Sequence, residues 1–239
     1  NKIRSVVKIE LKDEKERLRI FHLKRHSLNI KEQFYSLFRM GNALDGLNEW
    51  NMIFSLHEVT IPSMVPVVFG EKRKMGMPWK SITLTEHIYD SFRLETFIHE
   101  KFSSLSLSSE QILLKRKIIK KLASLARKFH NLGFNHNDFY LGHFFIIPST
   151  MTLHIIDLQR VVRRKKIRDR DRIKDIAQLL FSSQQINGIN NTDCIRFLKD
   201  YLQIKKIGFI EKNFIYKVLK KYLRINRHTL KHLNKAKGK

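Results

Sequence analysis

Residues 129–160, FHNLGFNHNDFYLGHFFIIPSTMTLHIIDLQR, decide how the chain is read. A helix ends near Gly133, and a short apolar strand then carries His136, Asn137 and Asp138. His143 follows five residues after Asp138. Residues 144–147 read as a strand, 148–152 as a polar turn and 153–156 as a second strand that delivers Asp157. A hairpin of this kind brings two carboxylates distant in sequence to one cleft. Neither half is specific alone: H-x-D triplets are common, and an Asp after an apolar strand is often a turn residue. The joint order, spacing and strand context carry the argument.

Those parts stand in the order of a kinase catalytic loop followed by a metal-binding loop. His136-Asn137-Asp138 takes the place of H-R-D, His143 stands where that pattern has Asn, and Asp157-Leu158-Gln159 replaces D-F-G. Phosphoryl transfer needs one carboxylate to orient a substrate hydroxyl and accept its proton, and a second to hold Mg²⁺ against the nucleotide phosphates. Asp138 suits the first task and Asp157 the second. His143 is the candidate second metal or phosphate contact, although Mg²⁺ prefers oxygen to imidazole nitrogen. His136 reads as a brace for the loop.

The same residues resemble the lipopolysaccharide core heptose kinases, relatives of the Kdo kinases. NHNDFYLGHFF (135–145) resembles their H-x-D-x-Y-x-C-H-F signature, including the His in place of Asn. IIDLQR (155–160) resembles their I-D-L-H/Q-R, and RDRDRIKDIAQLLFSS (168–183) their basic, Asp-containing helix start with a double Ser. Gly142 departs from the pattern, which has Cys there. The resemblance spans about residues 5–183 and leaves the chain from Gln184 onward unplaced. It implies an ATP- and Mg²⁺-dependent transfer of the γ-phosphate to a sugar hydroxyl of the lipopolysaccharide inner core, a heptose.

Upstream, residues 5–11 and 18–24 read as strands joined by a charged turn. Lys24 closes the second strand, in the setting of the lysine that ends V-A-I-K and pairs the nucleotide phosphates. A helix over 47–57 places Leu47, Trp50, Ile53, Phe54 and His57 near one face, and its Glu49 is the candidate partner of Lys24, with Glu58 at the helix end as the rival. A short helix is expected over 31–39, with a break at 41–46. Residues 61–69 contain two prolines and read as an extended edge segment, and 70–78 as a basic turn. Residues 81–85 form a strand entering Glu86-His87-Ile88, a hinge whose backbone at Glu86 and Ile88 would meet the adenine. No G-x-G-x-x-G loop is visible; either it precedes Asn1 or it has lost its glycines.

The expected fold is therefore α+β and protein-kinase-like, with a small antiparallel β-sheet lobe over residues 1–88 and a larger helical lobe over 89–239. The second lobe holds a helix over 94–102 and a long one over 109–132. Ser108 and Gln111 cap the long helix, its stripe is Leu114, Ile118, Leu122, Leu125 and Phe129, and Gly133 stops it. Asp175 opens a helix over 176–182 and supports the catalytic loop through hydrogen bonds rather than chemistry. Helices follow over 194–202 and 211–223, and the tail from Arg224 is basic.

The 239 residues carry a net charge of +25 and are 42% apolar, enough for a core and calling for an anionic partner. Arg160, Arg163 and Arg164 open a dense basic run to Lys174 just past Asp157, where kinases bind their acceptor. Arginine forks suit carboxylates and phosphates. With no A-P-E and a short stretch to Asp175, a glycolipid acceptor fits better than a polypeptide. The single cysteine, Cys194, excludes a disulfide framework and a Cys-rich zinc site. No apolar run reaches the ~18 residues of a membrane span. The expected partners are the lipopolysaccharide core and an anionic membrane surface touched by the basic tail. The expected place is cytoplasmic, peripheral at the inner face of the inner membrane. Two other classes stay open on sequence: a kinase-like binding module without activity, and a basic nucleic-acid-binding protein, for which no specific motif is present.

Overall fold

The computed structural model describes residues 3–27, 45–74 and 77–237. The chain forms two compact units, residues 1–91 with 154–161 and residues 92–153 with 162–239. The Asp157 segment thus belongs to the first unit, whereas the lobes read from sequence changed once, after residue 88. The helix expected over 31–39, and the break at 41–46 up to Leu44, lie outside the described residues.

The first unit is built on a four-stranded antiparallel sheet of order β1-β2-β4-β3: β1 (Ile3–Lys12), β2 (Leu18–Ser27), β3 (Val65–Lys74) and β4 (Met77–Glu86). The turn from β1 to β2 contains no glycine. Its Asp13 carboxylate accepts the backbone N–H groups of Lys15 and Arg17, which substitutes side-chain bonds for glycine freedom. Strand β3 lies at the sheet edge, as its Pro66 requires, with a bulge beside that residue. The basic turn read over 70–78 is instead mostly strand, because Lys72, Arg73 and Lys74 stay paired with β4. Gly70 sits within β3 where a Cβ would meet Ile82 Cγ1 at 3.1 Å, so this glycine allows close packing rather than a turn.

Helix α1 (Asp45–Glu58) buries Glu49, Ile53 and Leu56, an i, i+4, i+7 stripe. The face drawn from sequence was displaced: Phe54 is 45% exposed and His57 is exposed. The stripe includes an acid because Glu49 is turned inward against Lys24, and Leu56 takes the apolar place assigned to His57. Residues 154–161 dock on the same unit. Ile155 N donates to Pro62 O, Ser63 Oγ donates to Ile155 O, and Asn48 Nδ2 donates to the carbonyls of Gln159 (2.9 Å) and Val161 (3.0 Å).

The second unit is mainly helical: α2 (Leu94–Phe102), α3 (Ser109–Asn131), α4 (Asp169–Ser183), α5 (Asn191–Leu202) and α6 (Phe209–Lys237). Strands β5 (Phe92–Arg93) and β7 (Phe144–Ile147) pair, and β8 (Thr152–Ile155) follows β7; β6 (Phe134–Asn135) pairs with β9 (Val162–Arg163). The Ser108–Gln111 capping box is complete, and Ile118, Leu122 and Phe129 of the expected stripe are buried. Gly133 has φ +86°, and a Cβ there would lie 1.8 Å from Arg164 O; only glycine permits the close pairing of β6 with β9. The core centres on four fully buried rings. Phe129 stacks on Phe134 and Phe139, and Phe139 meets Phe144 edge-on. Helix α4 begins at Asp169, earlier than the Asp175 start read from sequence. Asp169 and Asp171 in its first turn favour the N-terminal end of the helix dipole, and Asp171 pairs with Arg168.

Candidate functional site

In the first unit, β2 lies between β1 and β4, which places Lys24 opposite Val6 on one side and Thr83 on the other. Lys24 Nζ donates to Glu49 Oε1 at 2.6 Å and to Asp157 Oδ1 at 3.3 Å. Glu49 is completely buried, and the lysine head is 15% exposed. Burial works against the Lys24 ammonium, but the Glu49 and Asp157 carboxylates outweigh it and hold its pKa above the ordinary lysine value. Burial is also the largest influence on Glu49 and pushes its carboxyl upward, while Lys24 pulls it back. At 2.6 Å from a lysine whose charge is favoured, the pair is ionic.

Asp157 takes a left-handed backbone conformation, φ 59° and ψ 55°, just before the 3₁₀ turn Leu158–Arg160. A non-glycine residue there needs outside support, and the two Asn48 bonds to the following carbonyls supply it. Asn48 escaped the sequence reading; its only signal was its place beside Glu49 on the helix. At the end of β4, the Glu86 carboxylate is paired with Arg19. The neighbouring His87 N donates to Ile20 O, and Ile88 O accepts from Ser91 Oγ.

In the second unit, helix α4 holds the loop around Asp138 from three successive turns. Asp175 accepts the N–H of His136 (2.7 Å) and of Asn137 (3.1 Å). Gln178 closes a ring around the loop, its Oε1 accepting Phe139 N–H at 3.1 Å and its Nε2 donating to Asn137 O at 2.8 Å. Ser182 Oγ accepts Leu141 N–H at 2.8 Å. These bonds hold Asn137 in the left-handed region, φ 67°. Residues 175, 178 and 182 are spaced three and four apart, one face of a helix. Asp175 thus braces the loop from within the helix. Gln178 was not picked out from sequence, its spacing from Asp175 being the available sign, and Ser182 entered only as part of the double Ser of the family resemblance.

His143 Nδ1 donates to Asp138 O at 2.7 Å, and its ring stacks on His136 at 5.5 Å. Gly142 lies against Glu95, where a Cβ would come 2.8 Å from Oε2. Of the three arginines, all exposed, Arg163 lies 4.9 Å over the Phe134 ring, Arg164 N donates to Gly133 O, and Arg160 closes the turn after Asp157. The structure therefore brings Lys24, Glu49 and Asp157 together in one unit and sets Asp138 beside His143 in the other. Among the described residues, no group of three or more His, Cys, Asp or Glu side chains is arranged to hold a metal ion.

A buried Lys–Glu pair reaching a carboxylate on a left-handed turn, together with a carboxylate loop clamped from a helix, defines a kinase-like phosphotransferase fold. Residues 2–201 match the model of the lipopolysaccharide kinase (Kdo/WaaP) family, and the chain belongs to that family. It is 31% identical over 219 residues to the lipopolysaccharide core heptose(I) kinase WaaP of Escherichia coli strain K12, covering 87% of this chain and 81% of that protein. It is 30% identical over 167 residues to the protein of the same name from Pseudomonas aeruginosa, covering 67% and 60%. Among solved structures it is similar to WaaP in complex with acyl carrier protein, with a TM-score of 0.68, 26% identity, and 92% and 84% of the two chains covered. The kinase-like fold read from sequence stands, and the chain is a phosphotransferase. The nucleic-acid-binding alternative finds no support in this family.

Proposed function

We propose that this chain transfers the γ-phosphate of ATP to a sugar hydroxyl of the lipopolysaccharide core, a heptose. The observation that carries the reading is Lys24, held between the buried Glu49 and Asp157. A buried cation whose charge is favoured by two acids is positioned to meet phosphate oxygens. The sugar is that of the relatives, which are named lipopolysaccharide core heptose(I) kinases.

In this reading Asp138 orients the sugar hydroxyl and takes its proton as the sugar oxygen bonds to the γ-phosphorus. The bond from that phosphorus to the β–γ bridging oxygen breaks, and ADP leaves. The donor chemistry suits a divalent cation: Asp157 supplies a hard carboxylate oxygen beside Lys24, and Thr83 Oγ1, on the strand paired with Lys24, is buried without a hydrogen-bond partner. Mg²⁺ held by Asp157 would neutralise charge on the phosphates. His143, whose Nδ1 donates to the Asp138 carbonyl, is the further candidate contact for metal or phosphate. Glu86 and Ile88 would offer backbone groups to the adenine, and Arg160, Arg163 and Arg164 would meet anionic groups of the acceptor.

Among the described residues, no helix is long and apolar enough to cross a membrane. We place the chain in the cytoplasm, peripheral at the inner face of the inner membrane, where a lipopolysaccharide acceptor would be met. An acyl carrier protein is a further partner to test, because one accompanies the solved relative. The decisive experiment is incubation with ATP, Mg²⁺ and dephosphorylated lipopolysaccharide core, followed by mass analysis of the glycan. One added phosphate on a heptose is the expected result; ATP binding with no glycan phosphorylated would overturn the acceptor assignment.

A further inference from the structure

Helix α6 (Phe209–Lys237) lies wholly beyond residues 2–201, the part matched by the family model. Its inner side is seated: Val218 is buried, and Phe214 and Tyr222 meet Tyr201 and Phe181. Its outer side carries a second apolar stripe with no such cover. Phe209, Tyr216, Leu223 and Leu230 recur every seven residues and are 87%, 63%, 53% and 49% exposed. Leu219, 44% exposed, falls between them. A seven-residue repeat keeps these side chains on one line along a helix.

Beside that line runs a second one. Lys217, Lys220, Arg224, Arg227 and Lys231 are spaced three, four, three and four residues apart, and all are exposed. The helix contains one acid, Glu211, whose carboxylate accepts the Gly208 N–H at its start. The solvent face of α6 is thus half apolar and half cationic. Exposed apolar side chains in a line are costly in water unless something covers them. A second copy laid on the stripe would set the flanking cations of two helices against one another. A bilayer with anionic headgroups satisfies both halves, burying the apolar line at the acyl boundary and pairing the cations with lipid phosphates.

We propose that the outer face of α6, from Phe209 to Lys231, docks this protein on an anionic lipid surface. The assignment deepens the peripheral placement proposed above and extends the contact from the basic tail expected from Arg224 onward to a helix face that begins at Phe209.

The test uses the full chain and sedimentation with phosphatidylethanolamine–phosphatidylglycerol vesicles against phosphatidylcholine vesicles. The native chain should bind the anionic vesicles and release with salt. A stripe variant, Phe209→Ser/Tyr216→Ser/Leu223→Ser, should lose that binding. A charge variant, Lys217→Glu/Lys220→Glu/Arg224→Glu, leaves every apolar residue in place and should bind at least about tenfold more weakly. Equal binding to both vesicle types, or either folded variant binding like the native chain, overturns the proposal. So does a native dimer that the stripe variant makes monomeric, since a second copy would then cover the face. Transfer to a soluble, delipidated core oligosaccharide should be unchanged in both variants. A native chain that binds anionic vesicles but phosphorylates no core sugar would overturn the heptose reading and leave the docking face standing.

Discussion

The two units hold their candidate acidic residues by opposite means. In the first, charge holds charge: Lys24 lies between Glu49 and Asp157 in a setting that excludes most water. In the second, the loop bearing Asp138 is fixed through its backbone, by a carboxylate, an amide and a hydroxyl on one helix face. An ion pair of the first kind is sensitive to the loss of either partner, because the charge left behind is buried. A hydrogen-bonded clamp of the second kind loses strength in steps, because it is shared among several bonds. The first arrangement suits a fixed charge pattern for phosphates, and the second a carboxylate that must exchange a proton.

That contrast is open to direct attack. The largest effect is expected for Asp138→Asn, which removes the proposed proton acceptor and keeps the backbone bonds of the clamp. Transfer should fall about a hundred- to ten-thousand-fold while the unfolding temperature stays near that of the native chain. Next is Lys24→Met, which strands the buried Glu49 carboxylate and should cost about 3–5 kcal/mol in denaturant unfolding, together with ATP-dependent thermal stabilisation. Adding Glu49→Leu should restore much of the stability and none of the transfer. If Lys24→Met alone is as stable as the native chain, the charge-on-charge account of the first unit fails.

A smaller loss is expected for Asp175→Asn, which weakens two hydrogen bonds from the loop backbone to a charged acceptor. A cost of about 1.5–3 kcal/mol would show in unfolding, with a lower transfer rate and unaltered nucleotide binding. Nucleotide binding that falls with it would contradict the division of labour between the units.

The smallest effect is a pH dependence in the second unit. His130 is fully buried, hydrogen-bonded to the Tyr201 hydroxyl at 2.7 Å and near Asp175. Burial lowers its pKa below the ordinary 6.5, and Asp175 only partly offsets this. The unfolded chain therefore takes up a proton on His130 at a pH where the folded chain does not. Its contribution to stability is full above about pH 6.5 and is lost as pH falls below that value. Unfolding midpoints between about pH 7.5 and pH 5.5 should drop, and the drop should shrink in His130→Gln.

Much of this arrangement was legible in the sequence, and for a physical reason. Groups proposed for the chemistry must recur at spacings set by the reaction, so Asp138, His143 and Asp157 stood out by order and Lys24 by its place at a strand end. The supporting groups carry no such mark. Asn48 and Gln178 are neutral side chains on helices and read like solvent-facing residues until the backbone they bond to is placed beside them. The face of α1 was misjudged because an amphipathic pattern assigns acids to water, whereas Glu49 is buried by its partner. The start of α4 was set late because Arg168, Asp169, Arg170 and Asp171 look like a charged loop. In the structure they form an acid-rich first helical turn and its cap. Strand β3 runs on past Gly70, which reads as a turn signal in sequence but sits against Ile82 within the paired strand.

The central claim is that one unit secures the nucleotide by fixed charges and the other supplies the carboxylate that acts on the acceptor. The most direct test measures, in Asp138→Asn, both Mg²⁺-ATP affinity and phosphate transfer to the lipopolysaccharide core. Affinity close to the native value with transfer all but abolished is the predicted result. Transfer retained at the native rate, or affinity lost along with it, would contradict the account.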